Sequence, residues 1–379
     1  MKRQLLGVAA ILLSISTYAQ DNPLWMRYCA ISPDGTTIAF TYKGDIYTVP
    51  STGGRASQIT TNPAHDTKPI WSPDGKKIAF ASDRMGSMDI FEVNKEGGIP
   101  KRLTTHSGNE TPVAYKDAGH ILFLANIMPT VEDAQFPSGQ FQQVYEVNTE
   151  GGRPALFSSM PMEDISINHT GNTLLYHDKK GYEDPWRKHH TSSITRDIWL
   201  CSLNGNRTFR KQTTFNGEDR TPVWASDDKS FYYLSEEKGS FNIFKRDIDG
   251  NTSKQITNHT KHPVRFLSAA SNGTLCYGYD GEIYTVKEGA IPQKVQISIV
   301  TDKNDKDLIR QIKRSGATEI SLSPDAKEIA FVLRGDVYVT STEYSTTKQI
   351  TNTPQQERDI HFSPDGRSIV YASERNGLW

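Results

Sequence analysis

The segment ISPDGTTIAF, residues 31–40, decides the fold because the chain repeats it. Three further copies are nearly intact: WSPDGKKIAF at 71–80, LSPDAKEIAF at 322–331 and FSPDGRSIVY at 362–371. Proline presets φ, aspartate hydrogen-bonds the neighbouring backbone and glycine accepts a left-handed conformation, so Ser-Pro-Asp-Gly is turn chemistry. The flanking residues are β-branched or aromatic, which indicates two short strands joined by this turn.

Each copy belongs to a longer unit. Degenerate copies of the segment occur at 115–123, 167–176, 224–233 and 267–277. A polar–aliphatic–aromatic element, such as DIY at 45–47, follows seven of the eight copies, and most units close with an element such as QIT at 58–60. The equivalent turns lie 40 to 57 residues apart. A unit of about 40 residues with four short strands has the size of one β-propeller blade. The sequence therefore predicts an all-β protein of four-stranded antiparallel blades.

The repeats form two groups. Six units run from residue 24 to 299 and predict a six-bladed β-propeller. A charged stretch without strand pattern follows, and we assign residues 300–317 as a crossing segment. Well-preserved repeats restart at Thr318, so residues 318–379 predict the first blades of a second, truncated propeller. A single eight-bladed ring with one long inter-blade loop is the alternative.

The last unit is shorter than the others. RNGLW at 375–379 lines up with RMGSM at 84–88, and no polar–aliphatic–aromatic element follows it. A blade without half its strands leaves an unpaired edge, which natural proteins avoid. We therefore expect this chain to be part of a longer protein.

The first twenty residues have the pattern of a secretory signal. Lys2 and Arg3 are positive, Leu5 to Ile15 is apolar, and small or polar residues follow up to Gln20. This is the layout of a bacterial signal peptide. The alternative is an N-terminal membrane anchor, but the apolar run is shorter than the about 20 residues that span a bilayer. We predict a signal peptide over 1–20, and export to the periplasm or secretion with no membrane span after cleavage.

Composition excludes several classes of protein. The 43 Lys and Arg residues balance 44 Asp and Glu residues, for a net charge of −1, which gives no global reason to bind nucleic acid. Three scattered cysteines do not make a disulfide framework. Cys276 lies in an apolar strand pattern and is predicted to be a core residue. Trp71, Trp199 and Trp224 recur within the repeats and are also predicted to pack in the core.

Common catalytic and metal-binding motifs are missing from the sequence. It contains no G-x-S-x-G, no H-E-x-x-H and no G-x-x-x-x-G-K-[ST]. Asp302, Asp305 and Asp307 lack the spacing of a calcium loop, and Lys306 stands where a ligand is needed. We interpret them as a solvated linker. We predict no metal and no cofactor, and assign no catalytic residue.

A long insertion in the fourth unit is the candidate contact loop. It contains Trp186, Arg187, His189 and His190. Tryptophan and arginine are frequent interface anchors, so these four residues are the predicted contact site for a peptide or protein partner. Two alternatives stay open: the loop packs over the propeller rim, or its adjacent histidines belong to a metal site. The insertion at 128–140 in the third unit has a similar composition.

The tandem segments resemble the PD40 class of propeller repeat, which TolB-like periplasmic proteins, prolyl-oligopeptidase-type peptidases and tricorn-type proteases share. The order of six units, a crossing segment and a second set of repeats resembles tricorn protease homologues over residues 24–379. That resemblance implies a downstream PDZ domain and a serine-peptidase core of the S41 type, with propellers that govern the passage of peptides. The family's catalytic serine and histidine would lie downstream of residue 379, so none is assigned here. The signal peptide departs from the intracellular members of the family.

Two functional hypotheses follow. In the first, this chain is the propeller portion of an exported tricorn-like serine peptidase that degrades peptides, and it is inactive alone because the catalytic core is missing. Its partners would be peptides or unfolded protein segments and its own PDZ and peptidase domains, with the choice between monomer and homo-oligomer open. In the second, it is a non-enzymatic TolB-like periplasmic scaffold that binds envelope proteins. A prolyl-oligopeptidase-type enzyme is a third option, but the second propeller counts against it.

Overall fold

The computed structural model describes residues 23–127, 141–181, 192–300 and 313–379. Within these ranges the secondary structure consists of β-strands, with no α-helix, which confirms the predicted all-β class. No helix that could cross a membrane is found in the same ranges. The chain divides into two compact units, Met1–Thr301 and Asp302–Trp379.

The described part of the first unit contains six sheets, and in each of them four consecutive strands pair antiparallel and in order. The first three sheets comprise β1 (Arg27–Ile31), β2 (Thr37–Tyr42), β3 (Asp45–Pro50) and β4 (Gly54–Gln58); β5 (Asp66–Trp71), β6 (Lys77–Ser82), β7 (Asp89–Asn94) and β8 (Lys101–Arg102); and β9 (Glu110–Asp117), β10 (His120–Ala125), β11 (Gln143–Asn148) and β12 (Ala155–Ser158). The next three comprise β13 (Met162–Ile167), β14 (Thr173–Asp178), β15 (Ile198–Ser202) and β16 (Thr208–Lys211); β17 (Asp219–Trp224), β18 (Ser230–Ser235), β19 (Asn242–Asp247) and β20 (Ser253–Gln255); and β21 (Arg265–Ala269), β22 (Leu275–Tyr279), β23 (Glu282–Val286) and β24 (Gln293–Lys294).

The Ser-Pro-Asp-Gly segment forms the predicted turn between the first two strands of a sheet. In the first sheet, the amide of Gly35 donates to the carbonyl of Ser32 at 2.9 Å, and φ of Gly35 is +75°. The Asp34 carboxylate accepts hydrogen bonds from the Ser32 hydroxyl and from the amide of Thr36. The same pattern recurs at the other three intact copies. The repeated aspartate therefore serves the turn, as predicted.

The closing element of the unit ties the fourth strand of a sheet to the third. In five sheets a threonine hydroxyl accepts a hydrogen bond of 2.8–3.0 Å from the backbone amide of the aliphatic residue in the polar–aliphatic–aromatic element. The threonines are Thr60, Thr104, Thr213, Thr257 and Thr351. The amide is buried and lies outside the backbone hydrogen bonds between the third and fourth strands, so it needs another acceptor. The threonine hydroxyl is that acceptor, which explains why threonine recurs in the closing element.

The core of the first unit lies between neighbouring sheets. Trp71 and Trp224 are buried, and their indole nitrogens donate to carbonyls of the preceding sheet, at Ala30 and Ser166. Cys276 is completely buried. These three predictions of core residues are confirmed. The prediction for Trp199 is confirmed in part: it packs against buried residues of the third and fourth sheets, but it lies on the third strand of its sheet rather than the first and is itself only half-buried.

The six sheets follow one another around a closed ring. The first strands β1, β5, β9, β13, β17 and β21 pack side by side in that order, and β21 returns to β1. After the sixth sheet, β25 (Ile297–Ile299) pairs in parallel with β4 and becomes the fifth strand of the first sheet. The amide of Met26 also donates to the carbonyl of Gly281, which joins the first and sixth sheets. This ring is compatible with the predicted six blades.

The second unit contains one four-stranded sheet and a two-stranded one. Their strands are β26 (Ala317–Leu322), β27 (Glu328–Leu333), β28 (Asp336–Ser341), β29 (Thr347–Gln349), β30 (Glu357–Phe362) and β31 (Ile369–Ser373). Most of the predicted crossing segment, residues 301–312, lies outside the described residues. The predicted domain boundaries therefore stay predictions.

Candidate functional site

A cavity of about 620 Å³ lies where the six first strands of the first unit meet. Each of β1, β5, β9, β13, β17 and β21 contributes residues to its wall. All six sheets contribute to the wall because the first strand of each sheet packs against the first strands of the preceding and following sheets.

The wall carries a β-bulge that recurs from strand to strand. Five of the six first strands shift register where a non-glycine residue adopts a φ between +48° and +57°. These residues are Tyr28, Lys68, Asp164, Thr221 and Phe266, and all of them line the cavity. Side chains of this kind rarely take a left-handed conformation. Because it recurs in five sheets, the bulge belongs to the repeat, and the type of residue at each bulge sets the character of the wall.

The side of the wall formed by the fourth and fifth sheets is densely charged. Glu163 accepts a hydrogen bond from Lys179 Nζ at 2.7 Å, and His177 Nε2 and Arg196 Nε lie 3.3 and 3.7 Å from its other oxygen. Burial favours the protonated form of Glu163, but the hydrogen bonds and positive charges of His177 and Lys179 outweigh it and hold its pKa well below the usual range. Glu163 is therefore an anion held among cations.

Asp164, the next residue on β13, faces the fifth sheet. Its Oδ2 accepts a hydrogen bond of 2.6 Å from the Thr221 hydroxyl and lies 3.6 Å from His177 Nδ1. The amide of Thr221 donates to the same ring nitrogen at 3.3 Å. The bulged residues of the fourth and fifth sheets are thus joined across the gap between the sheets.

Two arginines extend this network around one buried carboxylate. Arg196 Nη1 lies 2.6 Å from Glu218 Oε1, and Arg220 Nη1 lies 3.6 Å from the same oxygen. All three residues are buried. The guanidinium of Arg220 also stacks over the Phe241 ring at 4.0 Å. Shared carboxylate and ring contacts compensate the cost of burying these charges.

The opposite side of the wall is aromatic. The rings of Tyr28 and Phe266 lie 4.8 Å apart at an angle of 54°, and Lys68 Nζ lies 5.7 Å from the Tyr28 ring centroid. Burial lowers the pKa of Lys68, although the charges of Asp164 and Glu163 oppose this effect. The cavity therefore presents rings and one ammonium on one side and paired charges on the other.

No group of three or more His, Cys, Asp or Glu side chains is arranged to hold a metal ion in the part of the chain that the structure describes. The predicted contact residues Trp186, Arg187, His189 and His190 lie in 182–191, outside the described residues. Their role stays a prediction.

Sequence reasoning missed the cavity residues, although a signal for them exists. In three sheets the bulged residue lies five positions before the proline of Ser-Pro-Asp-Gly: Tyr28 before Pro33, Lys68 before Pro73 and Asp359 before Pro364. These positions differ in residue type from unit to unit, so a search for what the units share passes over them.

Comparisons with known proteins agree with this architecture. The family model described as the tricorn protease N-terminal beta propeller domain matches residues 23–290. Tricorn protease homolog 1 of Streptomyces coelicolor is 25% identical over 365 residues, which cover 94% of this chain and 32% of that protein. The tricorn protease homolog of Saccharolobus solfataricus is 26% identical over 296 residues, which cover 74% of this chain and 26% of that protein. The chain thus spans about a third or less of these relatives.

A solved structure has a similar fold. The crystal structure of the tricorn protease superposes with a TM-score of 0.62 at 19% identity, over 90% of this chain and 33% of that one. At this level of identity the likeness concerns the fold alone.

Proposed function

This chain belongs to the tricorn protease N-terminal β-propeller family, and we propose that it is the propeller portion of an exported tricorn-like serine peptidase that degrades peptides. The observation that carries the proposal is the cavity at the centre of the six-sheet ring, whose wall is charged on one side and aromatic on the other. In this proposal the cavity takes up peptides or unfolded segments on their way to or from the catalytic core.

The catalytic serine would come from outside this chain. The two tricorn homologues are about three to four times as long as the segment they share with it, since that segment covers 32% and 26% of them. We propose that PDZ and peptidase domains accompany the propeller in a longer protein, and that Lys2, Arg3 and the apolar run to Ile15 direct its export.

The native protein from its own host tests this function. Its intact mass should exceed the 42.5 kDa of this chain, and a fluorophosphonate probe should label it at a serine. Its N-terminus should lie near Gln20 and it should appear in the exported fraction. The recombinant 379-residue chain is the matched control and should stay unlabelled.

The opposite results would count against the peptidase. A native product no larger than this chain that resists the probe and co-purifies with an envelope protein would favour the TolB-like scaffold. Labelling of the recombinant chain itself would contradict the proposal that the catalytic core lies elsewhere.

A further inference from the structure

The cavity wall has an excess of positive charge. Its charged side chains, apart from His177, are five cations and two carboxylates. The cations are Lys68, Lys179, Arg196, Arg220 and Arg265, and the carboxylates are Glu163 and Asp164. Low-dielectric walls focus such an excess onto whatever enters the cavity.

Lys68 differs from the cations across the cavity. Lys179 is paired with Glu163, and Arg196 and Arg220 share Glu218. Among the described residues, Lys68 has no ion pair within 4.0 Å and no hydrogen bond, and its contact is with the face of the Tyr28 ring. It is half-buried on β5. The carboxylates of Glu163 and Asp164 lie beyond ion-pair distance from this ammonium. A partly desolvated ammonium without a direct ion pair is unfavourable, and a bound anion would reduce that cost.

The backbone holds Lys68 in this position. Its φ of +54° places it at the bulge of β5, and the neighbouring Pro69 is buried. Tyr28 and Phe266 provide an apolar surface beside the ammonium. An anionic group attached to an apolar chain fits this combination better than a free inorganic ion does, because both parts of such a ligand find a partner.

We propose that Lys68 binds a carboxylate of a peptide held in the cavity, with the Tyr28 and Phe266 rings packing against the adjoining residue. The carboxylate is either the peptide's C-terminus or the side chain of an acidic residue. This inference rests on the proposed function, since it requires that peptides enter the cavity.

Isothermal titration calorimetry of the 379-residue chain with four hexapeptides of one apolar sequence tests the inference. One peptide has a free C-terminus, one is amidated, and two are amidated with Glu or Gln at a central position. A charge-assisted hydrogen bond changes affinity by about 10-fold to 100-fold, so carboxylate-bearing peptides should bind more tightly by that factor. The arm that shows the difference identifies the source of the carboxylate.

Three variants assign the effect to Lys68. Lys68→Met should abolish the preference, so that each carboxylate-bearing peptide binds as its neutral counterpart does, while Lys68→Arg should keep the preference. Lys76→Met is the matched control, since it removes an equally charged side chain from the same sheet where it is 78% exposed. It should behave as the unchanged chain does.

The outcomes separate the two proposals. Equal binding of neutral and carboxylate-bearing peptides, or a preference that persists in Lys68→Met, overturns the role of Lys68 and leaves the peptide channel standing. Absence of binding by every peptide overturns both.

Discussion

Replacing Glu237 by arginine should stabilise the first unit at alkaline pH by giving Asp219 an ion-pair partner. An equivalent carboxylate already has one. Asp66, the first residue of β5, is completely buried, and Arg84 Nη2 lies 2.9 Å from its Oδ2. Asp66 pairs across the sheet with Ser82, two residues before this arginine. Asp219, the first residue of β17, pairs in the same way with the residue two positions before Glu237.

The second unit repeats the arrangement with a glutamate. Glu357 opens β30, and Arg375 Nη2 lies 3.4 Å from its Oε1. Burial would raise the pKa of Glu357, but hydrogen bonds from Thr353, Thr351 and other neighbours outweigh it and lower that pKa. The fifth sheet has the backbone for such a pair, because the amide of Glu237 donates to a serine hydroxyl at 3.2 Å, as the amide of Arg84 does at 3.3 Å. What the fifth sheet lacks is a basic side chain at position 237.

The magnitude follows from the pKa of Asp219. Burial raises it from 3.8 to about 7, against hydrogen bonds from Ser235 and Thr213, and the charges of Asp197 and Glu237 add to the rise. A raised carboxyl pKa means that the folded state binds the proton more tightly. Its contribution to stability is therefore complete below the ordinary pKa near 3.8 and is lost as pH rises through 7. The difference between 3.8 and about 7 corresponds to roughly 4 kcal/mol. This is an upper bound for Glu237→Arg, since the arginine must also be desolvated.

Urea unfolding followed by tryptophan fluorescence at pH 5 and pH 8 measures the effect. The unchanged chain should lose free energy of unfolding between the two pH values, and Glu237→Arg should lose less. Glu237→Gln, which removes only the like charge, should lie between them. Asp219→Asn should reduce the dependence because one titrating group is gone; the part that remains includes that of Glu110, whose pKa burial also raises to about 7. The reasoning is refuted if Asp219→Asn keeps the full pH dependence, or if Glu237→Arg is no more stable than Glu237→Gln at pH 8.

Three further substitutions, two of them paired with a control variant, test other contacts; the urea assay measures the free energies of unfolding, and limited proteolysis measures exposure of a segment. Gly53→Ala places a Cβ 2.6 Å from a backbone oxygen of the segment leading into β25 and should expose that segment to proteolysis, whereas Gly54→Ala meets nothing within 4 Å and should cost only the about 1–2 kcal/mol of a left-handed residue. Thr257→Val removes the hydroxyl that pairs a buried amide of β19 and should cost about 1–3 kcal/mol, while the exposed Thr208→Val in β16 should change stability by less than about 0.5 kcal/mol. Arg84→Ala leaves the buried Asp66 without its ion-pair partner and should lower the free energy of unfolding by about 3–5 kcal/mol. Equal stability of the variant and the unchanged chain would contradict this.

The fold was predictable because each unit of the repeat carries the same local hydrogen-bonding residues. Ser-Pro-Asp-Gly encodes a turn through bonds that span only a few residues, as between Ser32 and Thr37. The threonine of the closing element likewise bonds within its own sheet, 14 or 15 residues away. Such contacts leave the same pattern in every unit, so comparing the units within one chain is enough to find them.

Closure of the ring was not predictable in the same way. The segment that forms β25 pairs with β4, a strand about 240 residues earlier in the chain. Nothing in Ile297 to Ile299 distinguishes this strand from another closing element of a unit. Trp199 is less buried than Trp71 and Trp224 for a related reason, since its place in the unit decides how deeply its ring is buried, and a tryptophan alone does not state that place.

The cavity wall was missed because the repeat sets where its residues lie but not what they are. Tyr28, Lys68, Thr221 and Phe266 share one backbone conformation and are half-buried, and Asp164 is exposed. A position required for packing would be filled by similar apolar residues in every sheet, as the buried aliphatic positions are. These five differ in charge and in size, so packing does not choose them. The wall of the cavity, with rings and an ammonium on one side and paired charges on the other, is therefore the part of this fold that is free to be selected for a ligand.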